Sequence, residues 1–266
     1  MIILLKVRML NNHPKVLIFF WTILCLLVFQ FVSFAKTPTL AQKLLQSYEK
    51  IATISCEIQK TTKGDHTVRM LSRVTYKRPN RINVENISPA SRRIIVDGKR
   101  LYYFQKNGAK GFSKPIEKLN ETWMASVKNI PGTPIEHLYK IKDIPEITLS
   151  GNKNFAIRVA YKTATTYVVL SCNKPYRLEQ ITFFKDASMK NKFAQYQYSK
   201  FYEKEGAYAI PCLHEGYIIL PDGKKIVENR YIHNIKVNIP VNENFFNADL
   251  FFKDVEFVDD FSKTFH

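Results

Sequence analysis

Apolar and polar residues alternate through residues 74–104, VTYKRPNRINVENISPASRRIIVDGKRLYYF, in three short runs. Within and just before this stretch, Val68, Met70, Ser72, Val74 and Tyr76 share one parity, and Arg69, Leu71, Arg73, Thr75 and Lys77 share the other. Successive side chains of a strand point to opposite faces, so this pattern predicts a strand with two distinct faces. Pro79 ends it, because proline has no N–H to give to a ladder. Ile82 and Val84 then alternate with Asn83 and Glu85, and Asp97-Gly98 separates the runs 93–96 and 101–104, a strong hairpin signal.

The flanking segments differ in period. Thr39 has the character of a helix N-cap, and Leu40, Leu44, Leu45, Tyr48 and Ile51 follow at spacings near three and four, predicting an amphipathic helix of about four turns. Residues 115–143 place Leu119, Trp123, Met124 and Val127 before Gly132-Thr133-Pro134, and Ile135, Leu138, Tyr139 and Ile141 after it. That pattern predicts one or two short helices around a Gly/Pro break. Strand patterns resume at 147–149, 155–161, 166–172, 178–185, 193–201, 208–212, 215–220, 225–229 and 232–237. Ser150-Gly151-Asn152, Asn173-Lys174-Pro175 and Pro221-Asp222-Gly223 supply turns. Roughly a dozen strands interrupted once by helices predict a mainly β chain with some α, built as a curved antiparallel meander.

The N-terminus changes the setting of this domain. Lys6, Arg8 and Lys15 precede the apolar run 16–34, and Ser33 and Ala35 supply small residues for cleavage before Lys36. Residues 1–35 therefore read as a secretory signal peptide, and 36–266 as one exported domain. The run is also long enough to remain as an inner-membrane anchor. Cys25 follows Leu24, where a lipid-attachment signal places a small residue, so it is not read as a lipidation site.

The chain has 266 residues, 45% hydrophobic and 13% aromatic, enough for a sizeable core, and a formal charge of +17. Such a charge attracts anionic headgroups or acidic partners. The cations are scattered among apolar positions, as on a solvated β surface, and no nucleic-acid-binding motif accompanies them, so nucleic acid is not an expected partner.

Reactive groups are sparse. In an oxidising compartment Cys56, Cys172 and Cys212 leave one thiol unpaired, and any single disulfide among them is open. Cys212-Leu213-His214 is the one local Cys/His cluster, too small for a metal site. No Gly-x-Ser-x-Gly elbow is present, and His66, His137, His214 and His233 have no metal-spaced partners. Asp259-Asp260 reads as a solvated end. The chain is thus read as a non-enzyme without cofactor or metal.

Tyr76-Lys77-Arg78-Pro79-Asn80, followed by Val96-Asp97-Gly98-Lys99-Arg100-Leu101-Tyr102-Tyr103, resembles the periplasmic outer-membrane lipoprotein carrier family, LolA. Gly132-Thr133-Pro134 before an apolar helical segment extends the resemblance, as does the stretch from Phe246-Asn247-Ala248-Asp249-Leu250-Phe251-Phe252 through 255–260, which is similar to that family's closing strand. The match is loosest over 155–237, where this chain is longer than a typical carrier. The resemblance implies an incomplete β-barrel whose open side is covered by helices. It further implies a monomer that shields acyl chains of lipoproteins, or of a related lipid, between an inner-membrane releasing complex and an outer-membrane acceptor.

By the same resemblance Arg78 is a latch that bonds backbone groups of the lid helices, while Lys77 falls on the opposite face as a plain cation. The cavity wall is assigned to Tyr76, Ile82, Val84, Leu101 and Tyr103, and the lid to Ile135, Leu138 and Tyr139. Parity decides which residues share a face but not which face is concave. A rival reading is an envelope sensor or interaction domain on the same fold, tethered by an uncleaved N-terminal anchor.

Overall fold

The computed structural model describes residues 37–120, 123, 124, 127, 130 and 132–265. The signal peptide or anchor expected at 1–35 lies outside the described residues. Among those described, no helix is long and apolar enough to cross a membrane.

Helix α1 (Leu40–Glu49) leads into β1 (Thr53–Lys63), β2 (Thr67–Lys77), β3 (Arg81–Ser88), β4 (Arg92–Asp97), β5 (Arg100–Gln105) and β6 (Gly111–Pro115). A 3₁₀ turn at Ile116–Lys118 and helix α2 (Ile135–Ile141) follow. The second series is β7 (Glu146–Leu149), β8 (Ile157–Lys162), β9 (Tyr167–Lys174), β10 (Arg177–Phe184), β11 (Lys192–Lys204), β12 (Tyr208–Ile219) and β13 (Lys225–Val237). Short 3₁₀ turns at Glu243–Phe246 and Ala248–Leu250, strand β14 (Phe257–Val258) and a last 3₁₀ turn at Phe261–Phe265 end the chain.

The 14 strands of the described residues join one sheet in the order β14-β6-β5-β4-β3-β2-β1-β13-β12-β11-β10-β9-β8-β7. The first series steps outward from β1 to β6. After α2 the chain restarts at the far edge with β7 and steps back until β13 pairs antiparallel with β1, setting Ile58 opposite Ile232. The sheet is unclosed, with β7 and β14 at its edges. Register shifts in β1, in the β2–β3 pair and at both sides of β10 mark the irregularities that bend and twist strands, the means by which a large sheet curls.

One face carries the main core, including Ile54, Tyr76, Ile82, Val96, Leu101, Tyr103, Tyr161, Leu170, Ile181, Tyr198 and Ile210, and both helices pack against it. The alternation read in residues 68–77 is observed from Ser72 onward, with Ser72, Val74 and Tyr76 buried and Arg73 exposed; at the outer end of β2 it lapses, Val68 being exposed and Met70 and Leu71 both half-buried. Asp97-Gly98 forms the β4–β5 turn: Gly98 takes φ +103°, and Asp97 Oδ1 accepts from the N–H groups of Lys99 (2.7 Å) and Arg100 (2.8 Å).

Thr39 caps α1 reciprocally. Its Oγ1 accepts from Gln42 N at 3.3 Å, and Gln42 Oε1 accepts from Thr39 N at 3.0 Å. The helix is shorter than the apolar spacing implied: it stops at Glu49, and Ile51 N turns back to Tyr48 O at 3.1 Å.

The C-terminal segment departs further from expectation. Residues 246–252 form 3₁₀ turns, and only Phe257–Val258 joins the sheet, parallel to β6. The segment is instead held by aromatic packing. Phe252 and Ala248 bury against Ile95 on the outer face. Past β14, Phe261 reaches the inner face and packs edge-on against Tyr103, Phe112 and Trp123 at 5.2, 5.6 and 5.7 Å. The tail thus clips the β4–β6 edge from both sides. Cys56, Cys172 and Cys212 are all free thiols.

Candidate functional site

Four neighbouring strands build an apolar floor by register alone. Tyr76 faces Ile82, Ile82 faces Val96, and Val96 faces Leu101; one step along, Val74 faces Val84 and Val84 faces Ile94. Above this floor lies a cleft of about 350 Å³, lined by Ile82, Val84, Ile94, Val96 and Leu101 and roofed by Trp123, Val127 and Gly132. Trp123 is fixed there by stacking on Phe112 at 5.7 Å and 29° and by the edge of Phe261. Gly132 has φ +81°, a conformation that favours glycine, and an added Cβ would meet the buried Ile232 Cδ1 at 2.0 Å, so a larger residue here is strained and displaces that side chain.

Of the sequence-predicted wall residues, Ile82, Val84 and Leu101 line the cleft. Tyr76 (1% exposed) and Tyr103 (6% exposed) lie in the adjoining core instead. The Tyr76 hydroxyl donates to Pro79 O at 3.4 Å, and burial pushes its pKa upward.

The helical segment Ile135–Ile141 sits elsewhere than over this cleft. Ile135 and Leu138 are buried in the core shared with α1, and Tyr139 is 47% exposed. His137, on the same helix, stacks on Tyr196 at 5.3 Å and meets the edge of Phe183 at 5.5 Å. Among the described residues α2 is thus packed against side chains, and the cleft lies instead beneath Trp123 and Val127, in the first half of the helical pattern read over 115–143.

Helix α1 is strapped at both ends. At its C-terminal end Arg78 Nη2 donates to Tyr48 O at 2.8 Å and Nε donates to Ile51 O at 3.1 Å. A cation is well placed at a helix C-terminus, where carbonyls lack intrahelical partners. At its N-terminal end Leu40 N donates to Glu146 Oε2 at 2.7 Å, and Ala41 N donates to Tyr161 Oη at 3.0 Å. Tyr161 Oη itself donates to the same carboxylate at 3.0 Å. The Arg78 contacts therefore run to α1 and its exit rather than to α2. Glu146 and Tyr161 were not foreseen, because nothing local in the sequence ties them to residues 40 and 41. Lys77 is also not a bare cation: it and Arg81 share Glu243.

Other concave and titratable features are less suited to an apolar ligand. A groove of about 580 Å³ on the opposite face is crossed by the linked pairs Glu57–Arg73 (3.5 Å), Arg73–Glu85 (3.7 Å) and Glu85–Arg93 (2.5 Å), which satisfy one another's charge. His214 is buried edge-on to Tyr196 at 5.1 Å, and burial, with Arg230 beside it, lowers its pKa to about 3. His233 Nδ1 lies 3.5 Å from Glu57 Oε2. Among the described residues, no group of three or more His, Cys, Asp or Glu is placed to hold a metal ion.

No protein-family model matches the chain, and no curated protein matches it. Solved structures do. An outer membrane lipoprotein-sorting protein domain from Vibrio parahaemolyticus superposes with TM-score 0.52 at 10% identity, covering 79% of this chain and 97% of that one. A DUF1329 family protein from Desulfovibrio piger gives TM-score 0.50 at 10% identity over 79% and 95% of the two chains. A LolA superfamily protein from Nitrosomonas europaea aligns over 79% and 98% at 14% identity, with TM-score 0.48. The fold of this chain, one unclosed antiparallel sheet with helices on its apolar face, is thus similar to that of the lipoprotein-sorting domain, as Lys77-Arg78-Pro79-Asn80 and Asp97-Gly98-Lys99 led one to expect.

Proposed function

We propose that this protein is an envelope carrier that shields an acyl chain of a lipoprotein or related lipid in the cleft beneath Trp123 and Val127. In this reading residues 1–35 direct export, the domain works in the periplasm, and cargo passes from an inner-membrane releasing complex to an outer-membrane acceptor. The observation that carries the reading is the apolar cleft roofed by Trp123, Val127 and Gly132, in a domain whose helix α1 has polar fastenings, Arg78 and the Glu146–Tyr161 pair, at its two ends.

The energetics support reversible exchange. Helix α1 buries Leu40, Leu44, Leu45 and Tyr48, each contributing about 1.5–3 kcal/mol, so lifting it forfeits roughly 6–12 kcal/mol. A dozen methylenes entering apolar space that α1 vacates return about 10 kcal/mol at roughly 0.8 kcal/mol each. The two quantities are of one size, so loading needs no other energy source and unloading is not blocked. A cleft of about 350 Å³ is at the small end of ligand sites, which suits one chain; a multiply acylated cargo requires α1 to move.

The test is native mass spectrometry of the protein purified from cells with an intact envelope. The carrier reading expects a co-purifying lipid or acylated peptide, taken up in greater amount when α1 is unlatched by Arg78→Leu. A protein that is persistently empty, and stays empty after incubation with acylated peptide, would favour the interaction-domain reading instead.

A further inference from the structure

The cleft changes character along its length. At one end the floor is Ile82, Val96 and Leu101; at the other it is bordered by Lys60, Arg92 and Arg230, which line the same hollow. Strand register produces this second row. Arg230 of β13 pairs with Lys60 of β1, Lys60 with Met70 of β2, and Asn86 of β3 with Arg92 of β4. The two ends of the floor, Arg92 and Val96, are four residues apart on one strand, about 13 Å, the reach of a medium-length alkyl chain.

The charges in this row do not cancel. Glu228 is shared by Lys60 (2.5 Å) and Arg230 (2.8 Å), which hold its carboxyl below the usual range against the opposing effect of burial. Among the described residues Arg92 has no carboxylate partner. Its guanidinium contacts Met70 Sδ at 3.5 Å and the Asn86 carboxamide. With that amide turned so that its oxygen accepts from Arg92, its nitrogen donates to Ser72 Oγ at 2.5 Å, so Ser72 and Asn86 hold the guanidinium in place through neutral contacts. The Lys60 and Arg230 side chains are only 30% and 23% exposed. Three partly buried cations with one carboxylate, set beside an apolar floor, favour an incoming anion, and a fixed guanidinium offers a planar fork that suits carboxylate and phosphate oxygens.

We infer that the cleft selects an amphiphile bearing an anionic headgroup, a carboxylate or a phosphate, with its alkyl chain running toward Val96 and Leu101 and its head on Arg92. This inference rests on the carrier reading, since it specifies the ligand class for the same cleft.

Displacement of a fluorescent apolar probe from the purified full-length chain tests it, with dodecanoate, dodecyl phosphate, dodecanol and dodecyltrimethylammonium as competitors. The expected result is that dodecanoate, dodecyl phosphate or both compete about tenfold or more better than dodecanol, the scale of one charge-assisted hydrogen bond. The ammonium amphiphile should be weakest, and which anion leads distinguishes a fatty-acid from a phosphate headgroup. Arg92→Gln should bring the anions down to the dodecanol level without weakening dodecanol. Lys60→Gln, further along the row, should reduce the preference in part, and serves if Arg92→Gln folds poorly. Equal competition by dodecanol and both anions overturns the headgroup inference and leaves the carrier reading standing. Failure of every alkyl probe to compete overturns both.

Discussion

Replacing Arg78 by leucine removes two hydrogen bonds from a charged donor, to Tyr48 O at 2.8 Å and to Ile51 O at 3.1 Å. Bonds of this type contribute about 1.5–3 kcal/mol each, and because both arise from one guanidinium, and freed carbonyls at a helix end recover water, the combined loss is about 2–4 kcal/mol. That loss falls on the docking of α1, not on the strands. The opening equilibrium of α1 should therefore rise roughly 30- to 700-fold. Amide hydrogen exchange reads it directly: residues 43–51 should exchange faster by that factor, while β1 and β2 amides keep their protection. Uptake of an apolar fluorescent probe should rise in parallel. Arg78→Lys should be intermediate, since a single ammonium cannot span both carbonyls in the fork geometry. Exchange in α1 that is unchanged, or that rises only as much as the strands do, would refute the reasoning that Arg78 holds this helix shut.

Three further outcomes follow from particular contacts. His214 is buried with its pKa lowered to about 3 against an ordinary 6.5, so its neutral form is the one the fold accepts. Its contribution is fully present above about pH 6.5 and is lost as pH falls toward 3, amounting to about 2–3 kcal/mol by pH 4.5. Denaturant titrations at pH 7 and 4.5 should show this drop, and His214→Phe should shrink it; an equal drop in the variant would contradict the assignment. Gly132→Ala places a Cβ 2.0 Å from Ile232 Cδ1 at a positive φ, and should lower stability by about 1–3 kcal/mol and reduce probe binding in the cleft, measured by denaturant midpoint and probe fluorescence. Phe261→Ala should loosen Trp123, whose ring it contacts at 5.7 Å, shifting tryptophan emission and costing about 1–3 kcal/mol.

Much of the architecture was legible because strand parity and punctuation are local. The faces of β2 from Ser72 onward, the Thr39 cap and the Asp97-Gly98 turn each need only a few neighbouring residues, and each is observed. The Arg78 position was read through the family resemblance, and the structure sets it on two backbone carbonyls at the end of α1. The features that were missed are those made by long-range register or by aromatic packing. Lys60, Arg92 and Arg230 stand on β1, β4 and β13, and nothing in the sequence says that β13 returns to pair with β1. Glu146 and Tyr161 reach α1 from the far edge of the sheet for the same reason. Trp123 and Phe261 roof and clip the cleft through ring contacts that carry no periodic signature. A helix over the open side was expected, and its position was not: apolar residues 135–141 satisfy the pattern of a lid equally well when packed against α1 and the β10–β11 region, which is where they lie.

The central claim is that an alkyl chain occupies the concave cleft. Photo-cross-linking with a diazirine-bearing fatty acid, followed by peptide mapping, tests it most directly. The account predicts adducts concentrated on β3, β4 and the Trp123 segment, at residues such as Val84, Ile94 and Trp123, and their loss when Val84→Trp fills the space. Adducts confined to the opposite-face groove around Arg73 and Phe245, or spread evenly over the surface and indifferent to Val84→Trp, would contradict it.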